Sequence, residues 1–299
     1  MKTALDVRWA RALSASGPAC ARAAFLVTPE AEQLALQSAS DNGYMQLSAS
    51  YSLQRAQNQH RALQRALSTE LPVVSFAGRS ETPDDLFPNN VFATRPGHLI
   101  LGHMRHRVRQ REAERADILA FFRHLLGYGV ADLRHQPGVI ELTGAMVIDR
   151  ARGLGFAGLG ERCSEVGAEA FAEELRLQAC FCAPLAAGEY HMNVVMSVLA
   201  GRLLVICPDG LADPGEAERI AACYAPDVIY LSSAQKAAFA GNCLSLCPDS
   251  VWMSQRAADS LTSLQRAQLQ RAGFALRAVE LDEIEKAGGS LRCCVAEIF

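Results

Sequence analysis

Short runs of aliphatic residues alternate along this chain with stretches in which apolar side chains recur every third or fourth position. The first pattern predicts buried strands and the second amphipathic helices. Ala23 to Thr28 is the first such run, closed by Pro29. From Leu53 to Leu67 the apolar positions Leu53, Ala56, Leu63, Ala66 and Leu67 share a face opposite Gln and Arg, which predicts a surface helix. Further strands are expected at Leu71–Phe76, Leu99–Leu101, Gly153–Gly160, Leu203–Cys207, Val228–Leu231 and Ala275–Glu280. Further helices are expected at His103–Leu126, stopped by Gly127-Tyr128-Gly129, then at Gly167–Leu177, Asp213–Tyr224, Ser232–Ala240 and Ser260–Ala272. Arginines and histidines crowd His103–Arg115, but Glu112 and Glu114 interleave with them, so a solvated helix face is expected there. Strands and helices alternate about five times without a long linker, which argues for one α/β domain over 23–299 preceded by a loose arm, 1–22.

Composition narrows the function. Half of the 299 residues are hydrophobic, so a substantial core is expected. The net charge of -3 gives no electrostatic case for nucleic acid or an anionic membrane. No run has the apolar length that spans a bilayer, and Asp6, Arg8 and Arg11 break the N-terminal apolar run, so the expected location is the cytoplasm. In that compartment the ten cysteines are expected as free thiols. They lack paired C-x-x-C spacing and a nearby histidine cluster, so no metal is expected. No G-x-G-x-x-G follows the first strand and no Walker loop is present, so a nucleotide cofactor has no phosphate cradle.

Four stretches carry candidate chemistry. Near the end, Gly288-Gly289 precede Ser290, Arg292, Cys293 and Cys294. Paired glycines permit positive φ and close approach, and Arg292 would favour a thiolate. If the segment is extended, Cys294 points away from Cys293. In Leu86–Thr94, Asn89 and Asn90 follow Pro88 among large apolar residues, as a buried polar pair that protein or ligand must satisfy. Glu141 lies within the apolar run Val139–Asp149, where an acid is costly unless paired or functional. His191 and Asn193 lie in Tyr190–Leu199 and share a face if that segment is a strand.

Taken in order, FPNNVFAT, ELTGAMVIDR, EYHMNVVMSVL with GNCLSL behind it, and GGSLRCCVAEIF resemble the guanidino-group-modifying (pentein) superfamily. That superfamily includes arginine deiminase, dimethylarginine dimethylaminohydrolase and amidinotransferases, and the match is nearest its short citrulline-hydrolase and amidinotransferase-like branch. The resemblance implies an α/β propeller of ββαβ units with fivefold pseudosymmetry, each unit giving a segment to a central site. By position it implies Cys293 as nucleophile, His191 as general acid/base and Glu141 as acidic partner. Arg162 resembles a substrate-carboxylate anchor, and Asn90 and Asn193 stand where arginine deiminases carry aspartates. Phe87 and Asp85 are expected to line the pocket, with Asp84 the alternative to Asp85. The glycine run before the cysteine is two residues long where three would be expected.

The expected chemistry is thiolate attack on a planar carbon, with His191 as imidazolium lowering the thiol pKa and then protonating departing ammonia. Water would then release the covalent intermediate. Two asparagines in place of aspartates suit a neutral ureido group, because buried carboxylates facing it would lack a cation. The expected reaction is therefore citrulline to ornithine, ammonia and carbon dioxide, without a cofactor. The alternatives are a guanidino hydrolase or amidinotransferase, and a propeller that only binds a partner. The expected ligand is a small ureido or guanidino amino acid, with a homodimer left open.

Overall fold

In the computed structural model, which describes residues 5–299, the aliphatic runs pair as five small sheets among the described residues. β1 (Ala23–Val27) and β2 (Val73–Phe76) run parallel. β3 (Phe92–Arg95) and β4 (His98–Leu101) form an antiparallel hairpin, with β5 (Gly129–Asp132) parallel to β4. β6 (Met146–Asp149), β7 (Leu154–Leu159) and β8 (Ala179–Pro184) repeat that arrangement, as do β9 (Met196–Leu199), β10 (Leu203–Ile206) and β11 (Val228–Tyr230). β12 (Ser250–Ser254) and β13 (Ala275–Val279) are parallel, and Leu244 bridges antiparallel to Trp252 in place of a full third strand. β14 (Ala296–Ile298) closes the first sheet antiparallel to β1, with Ala23 opposite Ile298.

The expected ββαβ repeat is therefore present. A two-residue turn can join antiparallel strands, but a parallel partner needs a crossover, and helices supply it. Leu53–Leu67 links β1 to β2, Glu165–Glu174 links β7 to β8, and Pro214–Ala222 links β10 to β11. Each has a side-chain cap, from Ser52, Ser164 and Asp213. Leu63 and Leu67 of the first helix are fully buried, which stabilises its docking by about 1.5–3 kcal/mol per side chain.

Two expectations need correction. The stretch 103–126 is not one solvated helix. It breaks at Arg115, whose backbone is extended, and Arg109, Glu112 and Arg115 are buried. Glu112 lies three residues after Arg109 and takes its guanidinium at 2.9 Å, so the pair turns inward together. Nor is the described part of the N-terminal arm loose, while residues 1–4 lie outside the described residues. Val7–Ala12 is a helix capped by Asp6, Ala10 is fully buried, and Val7, Trp9 and Leu13 pack on a cluster that includes Phe156, Ile220 and Tyr224. All ten cysteines are free, and no helix among the described residues is long and apolar enough to cross a membrane.

Candidate active site

One local device recurs before the leading strand of every sheet among the described residues: a tight turn that carries buried polar side chains. Pro88–Asn90 precedes β3. Leu142–Ala145 precedes β6, with Glu141 at its cap position. Met192–Val195 precedes β9, with His191 at its cap position. The turn closed by the Asn242 N–H on the Phe239 carbonyl (2.9 Å) precedes the Leu244 bridge, and Leu291–Cys294 precedes β14. The sequence allows strand at Tyr190–Leu199 and two strand pieces bracketing Glu141 and Thr143-Gly144. Four-residue turns between apolar residues carry no period of their own, and the strands start later, at Met146, Met196 and Ala296. Close approach between turns constrains Gly144: a Cβ there would clash with Oδ1 of Asn90 and lie 2.9 Å from Cε1 and Nδ1 of His191.

The turns bring Glu141 and His191 together. Nε2 of His191 lies 2.8 Å from Oε2 of Glu141, and both residues are fully buried. Burial would raise the Glu141 carboxyl, but Arg162 and Arg109, each 3.5 Å away, together with His191 hold it well below the usual carboxylate range. An ionised carboxylate only accepts, so Nε2 carries the proton. Burial pushes His191 down to about 4, against the pull of Glu141, so the resting imidazole is neutral. Its Nδ1 is then a bare lone pair, and that atom is buried without a hydrogen-bond partner. This corrects the expected preformed imidazolium, because burial outweighs the carboxylate.

The sulfur of Cys293 has different surroundings. Nδ2 of Asn242 lies 3.3 Å from Sγ, and the Asn193 amide lies 3.8 Å away. Asn242 is fixed from both sides: its Oδ1 accepts the Arg292 N–H (3.0 Å), and its Nδ2 also donates to the Asn193 carbonyl (3.0 Å). Burial raises the Cys293 thiol, and the contacts from the Ser290 backbone, Asn242 and Asn193 oppose that rise. The Arg292 guanidinium pairs with Glu297 at 2.9 Å and still acts on the thiol in the expected direction, lowering it against burial. Cys294 shares the helical turn with Cys293, not an extended strand, and burial raises its thiol far above the usual range.

The other expected residues divide. Asn90 is buried, and its Oδ1 and the His191 ring both close on Gly144. Phe87 is buried with its ring against Gly289, where a Cβ would lie 2.9 Å from the ring. Gly288 has positive φ, but a Cβ there would meet Asn42 and Met45, so protein side chains make the close approach. Asp85 does not line the site. Its Oδ2 accepts the Arg79 N–H (2.8 Å) and the Thr82 hydroxyl (3.1 Å) and pairs with Arg115. Asp84 is the inward acid, 4.0 Å from Arg109, and burial raises its carboxyl. Arg109 and Asn242 were missed. The alternating charges around Arg109 concealed it, and the only signal for Asn242 was its place in GNCLSL.

Arg162 is fully engaged. It pairs with Asp41, donates to the Ser38 carbonyl (2.8 Å), and lies over the Tyr190 ring at 4.9 Å. Asp41 and Ser38 belong to an irregular strap, residues 29–52. Within it Asn42 donates to the Gly288 carbonyl (3.2 Å), and Tyr44 reaches Glu189 (2.8 Å) and packs on Tyr190. The strap contacts residues next to both the histidine and the thiol segments, and Cys293, His191 and Glu141 are all 0% exposed beneath it. Among the described residues, no group of three or more His, Cys, Asp and Glu is arranged to hold a metal ion.

Residues 28–299 match the family described as N,N dimethylarginine dimethylhydrolase, eukaryotic. No curated protein sequence matches the chain. Among solved structures, the chain is similar to the substrate-bound N-terminal domain of ArgZ, an arginine dihydrolase from the ornithine–ammonia cycle in cyanobacteria. That pair is 22% identical with a TM-score of 0.79, covering 92% of this chain and 97% of that one. AgrE bound to ornithine and NAD+ is 22% identical with a TM-score of 0.80, covering 93% of this chain and 39% of that one. A dimethylarginine dimethylaminohydrolase adduct with S-methyl-L-thiocitrulline is 17% identical with a TM-score of 0.73, covering 93% and 99%. At these identities the likenesses establish a shared fold.

Proposed function

The chain belongs to the eukaryotic N,N-dimethylarginine dimethylhydrolase family, within the guanidino-group-modifying superfamily, and from that premise we propose a thiol hydrolase whose preferred substrate is a ureido amino acid, citrulline. One observation carries the ureido preference: the side-chain hydrogen-bond partners of the Cys293 sulfur are the amides of Asn242 and Asn193, with no carboxylate among them. An amide presents both a donor and an acceptor to a neutral ureido edge, whereas a guanidinium favours carboxylates.

The reaction starts with both groups neutral, and the bound substrate bridges them. Nδ1 of His191 takes the Cys293 proton as sulfur attacks the ureido carbon, and the imidazolium formed is stabilised by Glu141 through Nε2. That proton passes to the leaving nitrogen, ammonia departs, and a thiocarbamate remains on Cys293. Water attacks the thiocarbamate with His191 again as base, the sulfur leaves and is reprotonated, and the freed carbamate loses carbon dioxide to give ornithine. Asn242 and Asn193 steady the sulfur as its charge develops.

Substrate admission requires the strap to move. Asp41 places a carboxylate on Arg162, the group expected to hold the substrate's carboxylate, so the substrate takes over the Asp41 position when the strap lifts.

A second reading is favoured by the acids in the site. Glu141 and Asp84 face the same arginines, so a guanidino amino acid is accommodated as the first substrate and the ureido compound becomes the intermediate. This is the course suggested by the arginine dihydrolase among the similar structures. The test is incubation with citrulline, arginine and dimethylarginine in turn, with product analysis and high-resolution mass measurement of the Cys293 peptide after quenching. Ornithine from citrulline through an adduct bearing carbonyl oxygen supports the first reading. Ornithine from arginine with transient citrulline supports the second. Citrulline accumulating without ornithine, or no adduct with any of the three, overturns the ureido assignment.

A further inference from the structure

The segments that carry the candidate site also line a small cavity, about 30 Å³, walled by β6, β9, the Ser245 segment and β14. It is about the size of one water-sized occupant. Two guanidinium groups, Arg150 and Arg292, line it with a single carboxylate, Glu297. Glu297 pairs with Arg292 at 2.9 Å. Arg150 donates to the Thr94 carbonyl (3.0 Å) and lies 4.2 Å over the Phe299 ring, but among the described residues it has no carboxylate at ion-pair distance. Two donors in the lining are buried with no hydrogen-bond partner: Nη1 of Arg292 and Oγ of Ser245.

We propose that this cavity binds one small monovalent inorganic anion, of the size of chloride or bromide, between Arg150 and Arg292. Two cations against one carboxylate leave a single positive charge, which one monovalent anion balances and a water molecule does not. The anion accepts from the two orphan donors, as buried polar groups require. Burial pushes the Arg150 guanidinium down to about 10, with Glu297 opposing the fall and Arg292 adding to it, and an anion between the two arginines offsets the cost of burial. The site is joined to the candidate catalytic end by Arg292 itself, whose backbone N–H holds Oδ1 of Asn242.

The test is anomalous diffraction from wild-type crystals grown with bromide, paired with thermal denaturation in chloride and in methanesulfonate at equal ionic strength. The expected results are one bromide peak between Arg150 and Arg292 and a saturable rise in Tm on the order of 2 °C that only the small halide produces. Both should be lost in Arg150→Gln. A wild-type map with bromide elsewhere on the surface and none here, or with only water in the cavity, overturns the proposal, as does an equal Tm response to both salts. The wild-type measurements decide it even if Arg150→Gln does not fold. None of these readouts depends on turnover, so they leave the substrate reading untouched.

Discussion

The buried candidate site has an ionic half and a neutral half, and the two differ in what surrounds their titratable groups. In the ionic half Glu141 is shared by His191, Arg162 and Arg109, and every partner is nearly or fully buried. In the neutral half the Cys293 sulfur meets two amides. Charge on the first side fixes which imidazole nitrogen carries the proton. On the second, burial raises the thiol while burial lowers the imidazole, so both resting groups favour their neutral forms.

The largest expected effect comes from breaking the ionic half. Glu141→Gln leaves Arg162 and Arg109 buried without the carboxylate they share and removes the group that fixes Nε2–H. Stability should fall by about 3–5 kcal/mol, read as the shift of a urea unfolding midpoint. Turnover should fall by about 10²–10⁴-fold. A variant that unfolds at the wild-type midpoint would show that the carboxylate is not ionised in the folded protein.

The next effect is a pH dependence that separates His191 from a second buried histidine, His60. Burial pushes both down to about 4 from an ordinary 6.5. Below pH 6.5 the unfolded chain binds a proton that the folded chain refuses, so stability is complete above 6.5 and is lost as pH falls toward 4. Each histidine contributes a loss of about 3 kcal/mol across that window. His191→Gln and His60→Gln should each flatten the wild-type curve by a similar amount, measured by chemical denaturation from pH 7 to 4. Only His191→Gln should also abolish turnover. Equal activity loss in both variants would remove the special place given to His191.

Why some of this was legible in the sequence follows from which residues break a local rule. Glu141 and His191 interrupt apolar runs, and Cys293 follows a glycine pair, so each stands out in the sequence alone. The five-unit alternation was also legible, since the helix Leu53–Leu67 and aliphatic runs such as Leu203–Ile206 keep clean periods. The turns that hold the site residues were not, because Leu142–Ala145 and Met192–Val195 sit between apolar residues and are too short to carry a period of their own. Arg109 was hidden by its partner: Glu112 at i+3 is also the spacing of an exposed helical ion pair. The strap was hidden for a different reason. Asp41 and Asn42 have the composition of an ordinary turn, and only long-range contacts to Arg162 and Gly288 give them another role.

The neutral half can be inverted by one substitution. Asn193→Asp places a carboxylate where the amide now lies 3.8 Å from the sulfur. A like charge there disfavours the thiolate and favours a cationic substrate. Turnover of citrulline should fall, and the ratio of kcat/KM for arginine over citrulline should rise by about tenfold. An unchanged ratio would mean that the amides near the sulfur do not read the substrate's charge.

The smallest expected effect probes what covers both halves. Asp41→Asn removes the strap's negative charge from Arg162, Arg105 and His106 while keeping its shape. The pairing is partly buried and salt-screened on one side, so its loss should amount to about 1 kcal/mol, or a few-fold in rate. Alkylation of Cys293 by iodoacetamide should become a few-fold faster, and KM should fall by a similar factor because Arg162 is released for the substrate's carboxylate. The two readouts distinguish the alternatives. Faster alkylation with unchanged KM would make the strap a cover that does not mimic the ligand. Slower alkylation would mean that Asp41 holds Arg162 in the position the open site needs, and that the strap supports the cavity instead of blocking it.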